Sequence, residues 1–288
     1  MNNEIGIAGT GRMGTAFAKR LLETGHPVMV WNRSPEGAEA AIEAGATSAA
    51  DLSALTKCDV IMISLTNAEA VSAVVDALAA PGIKGRLVID MSTLLPVETE
   101  TIAKAVTLAG AEFVECPVGG TVGPALKGLL LGMAGGSEAA FARAKPILDH
   151  LCKRVEHLGP AGTGARMKLA VNLPLAIYWQ TLGEALTLVR DAGISPEIAI
   201  SLIADSSAGP IVLKNRAQVV IDTLNGTDQP GTFDIAGLTK DLRLALSLAK
   251  SEGRELPLAQ TAEPIYNGAL NAGLGGFDGA SLTKRSAQ

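Results

Sequence analysis

Cysteine is scarce in this sequence of 288 residues, and its three copies are scattered. Cys58, Cys116 and Cys152 form an odd set without CxxC spacing, which argues against a disulfide framework and against a zinc site. We therefore expect a reducing, cytoplasmic location. Cys116 precedes a proline at a predicted strand end, and we interpret it as a packing residue because no histidine partner is evident.

Several classes of function lack the residues they require. The formal net charge is −5, and no run of lysine and arginine offers a surface to nucleic acid or to an anionic membrane. No segment reaches the roughly 18 to 20 apolar residues of a membrane span, and the first residues lack the pattern of a signal peptide. The motifs GxxxxGK[ST] and HExxH are absent, so we expect no metal and no phosphate transfer. We predict structural roles for the three histidines, because none is paired in sequence with a plausible nucleophile or metal ligand: His26, His150 and His157.

Hydrophobic residues make up 48% of the chain, which is enough to form the cores of two sizeable domains. Strand and helix patterns alternate first, which predicts an α/β Rossmann domain with a mostly parallel sheet over residues 1–162. Only helical periodicity follows, which predicts an all-α substrate and dimerisation domain over residues 163–288. It begins with a long interdomain helix over residues 164–191. The predicted strands are 4–8, 27–32, 60–65, 87–91, 112–115, 129–133 and 153–157, and the other helices are 67–79, 96–109, 137–150, 196–205, 210–224, 234–252 and 257–273.

The first strand runs into a GxGxxG motif and then into a helical stretch. Gly9 permits a tight turn, Gly11 lets the backbone approach a pyrophosphate, and Gly14 allows the helix to pack closely on the strand. With a strand before it and a helix after it, this pattern predicts a dinucleotide site. The predicted cofactor-binding residues of this loop are Gly9, Thr10, Gly11, Arg12, Met13 and Gly14.

The end of the second strand predicts the type of dinucleotide. A carboxylate there would bind a ribose hydroxyl and repel a 2′-phosphate, but the residues are Asn32, Arg33 and Ser34. A guanidinium pairs with a 2′-phosphate and a hydroxyl can donate to it, so we predict NADP(H) with Arg33 as the discriminating residue. A solvated loop arginine is the alternative.

Ligands of such folds bind beyond the carboxyl ends of the strands, where polar and glycine residues occur in this chain. Ser92 and Thr93 follow one strand and are equally typical of a turn or helix cap. Gly119, Gly120 and Thr121 follow another, and their backbone N–H groups and hydroxyl suit a carboxylate, although a flexible turn has the same composition.

The long helix carries two polar residues near its start. Lys168 and Asn172 are four residues apart, so they project from the same side of a helix. A partly desolvated lysine facing a cleft would suit proton transfer to the oxygen of a carbonyl that accepts a hydride. A lysine whose stem is buried while its amine reaches water is the alternative.

Four motifs occur in an order that resembles the β-hydroxyacid dehydrogenase family, which includes 3-hydroxyisobutyrate dehydrogenases and tartronate and glyoxylate/succinic semialdehyde reductases. They are GIAGTGRMG with GHPVMVWNR, DMST followed by Pro96, GTGARMKLAVN with Glu184-Ala-Leu, and Lys240-Asp241-Leu-Arg-Leu-Ala-Leu. The resemblance extends from residue 5 to about residue 250.

The resemblance implies roles for individual residues. Lys168 would be the catalytic lysine with Asn172 as its partner, and Ser92 and Thr93 would lie by the nicotinamide and its ribose. Leu65 and Thr66 would border the cofactor, Lys240 would close over it, and Asp241 would lie near the substrate. Without the resemblance, we would interpret Lys240 and Asp241 as an exposed charged turn.

Two departures from the family pattern bear on the native substrate. Gly119 replaces the serine of the family's APVSGG loop, so the carboxylate contact is lost or moves to Thr121. Val171 replaces the first of the two asparagines usual after the lysine, leaving Asn172 in helical register.

We therefore predict an NADPH-dependent reductase of a small aldehyde or keto acid, running in reverse as a hydroxyacid dehydrogenase. The alternatives are an imine reductase, against which Lys168 weighs, and a non-catalytic NADP-binding protein. The wide apolar faces of the last helices predict a homodimer or homotetramer.

Overall fold

Strands and helices alternate through the first part of the chain in the computed structural model, which describes residues 4–286. The strands are β1 (Ile5–Ala8), β2 (Val28–Trp31), β3 (Thr47–Ser48), β4 (Val60–Ile63), β5 (Leu87–Asp90), β6 (Glu112–Glu115), β7 (Val118–Gly119), β8 (Leu130–Gly136) and β9 (Cys152–His157). The helices are α1 (Arg12–Glu23), α2 (Glu39–Ile42), α3 (Ala68–Ala79), α4 (Pro96–Leu108), α5 (Val122–Leu126), α6 (Glu138–Leu151), α7 (Thr163–Thr187), α8 (Pro196–Asp205), α9 (Ile211–Leu224), α10 (Ile235–Ser251), α11 (Pro257–Asn271) and α12 (Leu282–Ser286). The predicted domain limits at residues 1 and 288 lie outside the described residues.

The sheet has the order β3-β2-β1-β4-β5-β6-β8-β7, with β9 paired to β8. All pairs from β3 to β6 are parallel, and the antiparallel pairs are those of β8 with β6 and β7. After β1 the chain adds β2 and β3 on one side of that strand and then β4, β5 and β6 on the other, so the strand order reverses between β1 and β4. Nucleotides bind at such a switch point in open α/β sheets.

Alternate side chains of the central strands enter different apolar cores. Met62 and Ile89 belong to one buried cluster, while their neighbours Ile61 and Val88 belong to another. Because successive side chains of a strand point to opposite faces, both faces of this sheet are covered. Such burial requires the continuous apolar runs that these strands show, and it confirms the predicted α/β class.

The chain divides into two compact units, one ending at Lys168 and the other beginning at Leu169, so the division falls inside α7. The second unit is helical, and its core contains Trp179, Leu213, Leu238 and Tyr266. The Tyr266 hydroxyl donates to the Ala176 carbonyl at 2.9 Å, which satisfies the polar atom of a fully buried side chain. Among residues 4–286, no helix has the length and apolar character that crossing a membrane requires.

Some local predictions need correction. The helix predicted over residues 164–191 begins at Thr163 and ends at Thr187, and a short 3-10 turn, Arg190–Ala192, follows it. The two-residue strands β3 and β7 were not predicted, because so short a segment carries no periodicity. Pro174 lies inside α7, where proline has no N–H to donate to the Ala170 carbonyl, and we predict a kink of the helix there.

Candidate functional site

The carboxyl ends of five parallel strands are aligned by their register. Ala8 pairs with Trp31 on one side and with Ile63 on the other, and the same row continues through Asp90 to Glu115. The segments that follow these residues therefore emerge along one edge of the sheet. Most of the residues of the first unit that the sequence predicts to bind cofactor or substrate lie along this edge.

The three glycines of the loop between β1 and α1 have different physical reasons to be glycine. Gly9 has φ of +97°, and a Cβ there would lie 2.6 Å from Leu65 Cδ2. A Cβ on Gly14 would collide with the carbonyl oxygen of Gly9, so glycine is needed for α1 to pack against the loop. A Cβ on Gly11 would meet no heavy atom within 4 Å among the described residues. Gly11 therefore leaves open space at the N-terminus of α1, where backbone N–H groups and the helix dipole attract phosphate.

Thr10 also indicates that this loop fits a dinucleotide. Its side chain is 4% exposed, and its hydroxyl has no hydrogen-bond partner in the part of the chain that the structure describes. The Thr10 backbone N–H donates to Asn32 Oδ1 at 3.1 Å, and the Asn32 amide donates to the Ser34 carbonyl at 2.9 Å. Asn32 thus ties the glycine loop to the segment after β2, where Arg33 and Ser34 are exposed.

The ends of β4 and β5 are joined through Ser92. The Leu65 N–H donates to Ser92 Oγ at 3.0 Å, and the Ser92 N–H donates to Asp90 Oδ1 at 3.0 Å. Burial raises the pKa of Asp90 to about 6, against the opposing effect of its hydrogen bonds from Ser92. Thr93 is half-buried next to this turn and Thr66 is exposed. The Ser92 hydroxyl holds the two loops together, as a turn residue does. Its expected place beside the nicotinamide stays a prediction.

Glu115 is a functional candidate that sequence analysis missed. Its side chain is 2% exposed, and its carboxylate accepts from the backbone N–H groups of Gly162, Gly164 and Ala165 at 2.5, 3.0 and 3.0 Å. Burial raises its pKa to about 7, the hydrogen bonds oppose that rise, and the neighbouring charge of Asp90 adds to it. The available signal was an acidic residue at the last position of a buried apolar strand, a place where a carboxylate needs a specific partner.

Lys168 and Asn172 lie on one side of α7 and are both buried, with 8% and 7% of their surfaces exposed. In the second unit, Asn172 Nδ2 donates to Asp241 Oδ2 at 2.6 Å, and Lys240 Nζ lies 3.2 Å from Asp241 Oδ1. Asp241 is 5% exposed and belongs to the interior of α10, so these residues are not the exposed turn that their composition suggests. The Asp241 carboxylate thus holds the Asn172 amide and the Lys240 ammonium.

The loop with the altered glycine lies at β7. Gly119 pairs with Leu131 of β8, and a Cβ on it would lie 3.6 Å from Leu131 Cβ, an ordinary contact. Gly120 differs, because its φ is +123° and a Cβ would lie 2.6 Å from Leu130 Cδ2. Thr121 is half-buried and precedes α5. The backbone thus requires glycine at position 120 but could accept a side chain at position 119.

Other reactive side chains have structural surroundings. Burial raises the pKa of the Cys116 thiol well above its ordinary value, with smaller contributions from Cys152 and Glu115, and a thiol held protonated is a poor nucleophile.

The three histidines pack against other rings. The rings of His26 and His150 pack edge to face. The ring of His157 stacks on Phe141 and donates through Nε2 to the Gly136 carbonyl at 2.9 Å. Within residues 4–286, no group of three potential ligand side chains is arranged to hold a metal ion.

Comparisons with known proteins cover nearly the whole chain. The family model for the NAD binding domain of 6-phosphogluconate dehydrogenase matches residues 4–159, and that for the NAD-binding region of NADP-dependent 3-hydroxyisobutyrate dehydrogenase matches residues 162–285. Glyoxylate/succinic semialdehyde reductase 1 of Arabidopsis thaliana is 32% identical over 280 residues, which are 96% of this chain and 95% of that protein.

Two solved structures have nearly the same fold over their whole length. The 3-hydroxyisobutyrate dehydrogenase from Salmonella typhimurium superposes with a TM-score of 0.88 at 30% identity, over 98% of this chain and 99% of that one. The structure of Psf3 in complex with NADP+ and 2-OPP has a TM-score of 0.85 at 26% identity, over 98% and 99% of the two chains. Together with the two family models, these matches confirm the resemblance seen in the sequence: the chain belongs to the β-hydroxyacid dehydrogenase family.

Proposed function

We propose that this protein is an NADPH-dependent oxidoreductase that reduces a small aldehyde or keto acid, of the semialdehyde or glyoxylate type, to the hydroxy acid and catalyses the reverse reaction. The observation that carries the proposal is a buried amine, that of Lys168, in the same compact unit as the glycine loop with its unpartnered Thr10 hydroxyl. An ammonium with little access to water is suited to acting on a carbonyl oxygen. The relative named glyoxylate/succinic semialdehyde reductase supports the choice of substrate class.

The cofactor would be held at the edge of the sheet where β1, β2 and β4 end. The open space at Gly11 and the buried Thr10 hydroxyl fit a pyrophosphate, and Arg33 would pair with a 2′-phosphate. When bound, the reduced nicotinamide supplies a hydride to the carbonyl carbon of the substrate. The residues proposed to hold the cofactor are Gly9, Thr10, Gly11, Arg12, Met13, Gly14, Asn32, Arg33, Ser34, Leu65, Thr66, Thr93 and Lys240.

Lys168 is proposed as the proton donor. As negative charge develops on the carbonyl oxygen, the ammonium stabilises it and then transfers a proton to it. Asn172 would orient the lysine or the substrate, and its amide is fixed for this role by its 2.6 Å bond to Asp241. A buried carboxylate repels an anionic substrate, so we propose that Asp241 acts near the substrate by holding Asn172 and Lys240.

The carboxylate of the substrate would be bound by Gly119, Gly120 and Thr121, with Ser92 nearby. Thr121 is the residue of this loop with a hydroxyl, so we propose that it takes over the carboxylate contact of the family serine that Gly119 replaces. Because this contact would lie at a different position in the loop, we expect this enzyme to differ from relatives with serine at position 119 in the chain length of the acid it prefers.

Initial rates of NADPH oxidation test the proposal. The panel is glyoxylate and the succinic, methylmalonic and tartronic semialdehydes, with one cyclic imine as the control. We expect turnover with at least one aldehyde or keto acid and a much lower rate with the imine. Reduction of the imine alone would favour an imine reductase, and NADPH binding without any oxidation would favour a non-catalytic protein.

We also propose that the chain functions as a homodimer or homotetramer. Large apolar side chains of the second unit are exposed, including Leu202 at 66%, Ile211 at 78% and Leu258 at 71%. Exposed apolar surface of this kind is favoured at subunit contacts. In the proposed division of labour, residues 1–162 bind the cofactor and residues 163–288 contribute to substrate binding and assembly.

A further inference from the structure

Glu115 binds the first turn of α7 from a distant position in the chain. The residue ends β6, and its three backbone donors follow it by 47 to 50 positions. The first N–H groups of any helix lack partners inside the helix, so a buried helix start requires an acceptor from elsewhere. Here that acceptor is the Glu115 carboxyl group, which accepts through both oxygens and, when ionised, also interacts favourably with the positive end of the helix dipole.

The backbone around this carboxylate is packed without spare room. A Cβ on Gly135 would collide with Glu115 Oε1, and a Cβ on Gly164 would collide with the Met133 carbonyl oxygen and lie 3.2 Å from Glu115 Cδ. Both glycines let the strands β6 and β8 approach the helix start closely. The first turn of α7 is therefore held against the sheet by hydrogen bonds and by close contact at the same point.

Lys168 lies one turn beyond this anchor. Gly164 and Lys168 are four residues apart in α7, so they share one side of the helix, and Ala165 is three residues before the lysine. A change in the tilt or register of the first turn would move the Lys168 amine directly. We infer that Glu115 is a positioning residue for Lys168, acting through the backbone of residues 162–165; this inference rests on the proposed function of Lys168.

The test compares Glu115→Gln with Val114→Ala. Glutamine keeps the size of the side chain, but its amide nitrogen donates and cannot accept from the Ala165 N–H. Val114 is the neighbouring residue of β6, is fully buried in the apolar core and points away from the helix anchor, so its truncation destabilises the same strand without removing the acceptor. Glu115→Asp is the conservative variant, because it keeps the charge and shortens the reach.

Two measurements distinguish positioning from general stability. The first is amide hydrogen exchange of residues 162–168 without cofactor, which should become faster in Glu115→Gln and stay unchanged in Val114→Ala. The second is the rate and the deuterium isotope effect with 4-deuterated NADPH and the semialdehyde that the wild type reduces fastest. In Glu115→Gln we expect kcat to fall by between about tenfold and a hundredfold, since a misplacement of about 1 Å can cost on the order of a hundredfold.

The isotope effect should rise in Glu115→Gln, because slower hydride transfer becomes rate-limiting, and Glu115→Asp should lie between it and the wild type. A merely destabilised enzyme would lose active molecules while keeping its isotope effect and KM, as we expect of Val114→Ala. Unchanged exchange and an unchanged isotope effect in Glu115→Gln would overturn the inference while leaving the proposed function intact. If the wild type reduces none of the compounds, the proposed function fails, and exchange at residues 162–168 alone decides whether Glu115 anchors the helix.

Discussion

Replacing Gly11 by alanine should weaken NADPH binding without weakening the fold. Gly11 has φ of −63° and ψ of −174°, which any residue adopts, and a Cβ there meets nothing within 4 Å among the described residues. Alanine has less conformational freedom than glycine in the unfolded chain, which stabilises the folded state by about 0.4 to 1 kcal/mol. Alanine is also a poorer helix N-cap than glycine, which destabilises the folded state by roughly the same amount. The two effects offset, so the free energy of unfolding should change by less than about 1 kcal/mol.

Gly14→Ala is the matched control, because it adds the same methyl group three residues later. There the Cβ collides with the Gly9 carbonyl oxygen, a backbone atom that cannot rotate away. Overpacking of this kind costs about 1 to 3 kcal/mol. For a chain of this size, the melting temperature should then fall by about 2 to 4 °C for each kcal/mol.

Thermal unfolding without cofactor and fluorescence titration with NADPH measure the two effects separately. We expect Gly11→Ala to raise the Kd of NADPH by at least about tenfold, equivalent to about 1.4 kcal/mol, with an unchanged melting temperature. Gly14→Ala should lower the melting temperature. Wild-type NADPH affinity in Gly11→Ala would refute the pyrophosphate site at this loop, and a melting temperature as low as that of Gly14→Ala would make Gly11 a structural glycine instead.

Four further predictions follow from the same structure. Lys168→Ala should lower kcat by about 10² to 10⁴-fold while NADPH still binds, the range expected for a general acid; activity like that of the wild type would end the assignment. Arg33→Asp should shift the ratio of kcat/KM from NADPH toward NADH, and an unchanged ratio would mean that another residue selects the cofactor. Because burial raises the pKa of Glu115 from 4.5 to about 7, the folded state holds its proton over this window and the unfolded state does not. The free energy of unfolding should therefore fall as pH rises from about 4.5 to about 7, by up to about 3 kcal/mol, and urea titrations of Glu115→Gln should show a flatter slope. Light scattering should report a dimer or tetramer, and a stable monomer at micromolar concentrations would contradict the proposed assembly.

The sequence predicted most elements of this fold because their signals are local. The run VIMI of β4 and the run LVID of β5 are short and mostly apolar, as strands buried on both faces are, and the GxGxxG motif is recognised from the strand before it and the helix after it. Strand β7 escaped prediction, since two residues carry no period and its pairing with β8 comes from elsewhere in the chain.

The candidate site divides in the same way. The sequence by itself determined the glycine loop, the absence of a carboxylate at Asn32, and the helical spacing of Lys168 and Asn172, because each depends on residues close together in the chain. Only the tertiary structure decided that Asp241 is buried against Asn172 and that Glu115 binds the start of α7. A buried carboxylate is stable only with partners, and these partners are 47 to 69 residues away, where no local pattern indicates them.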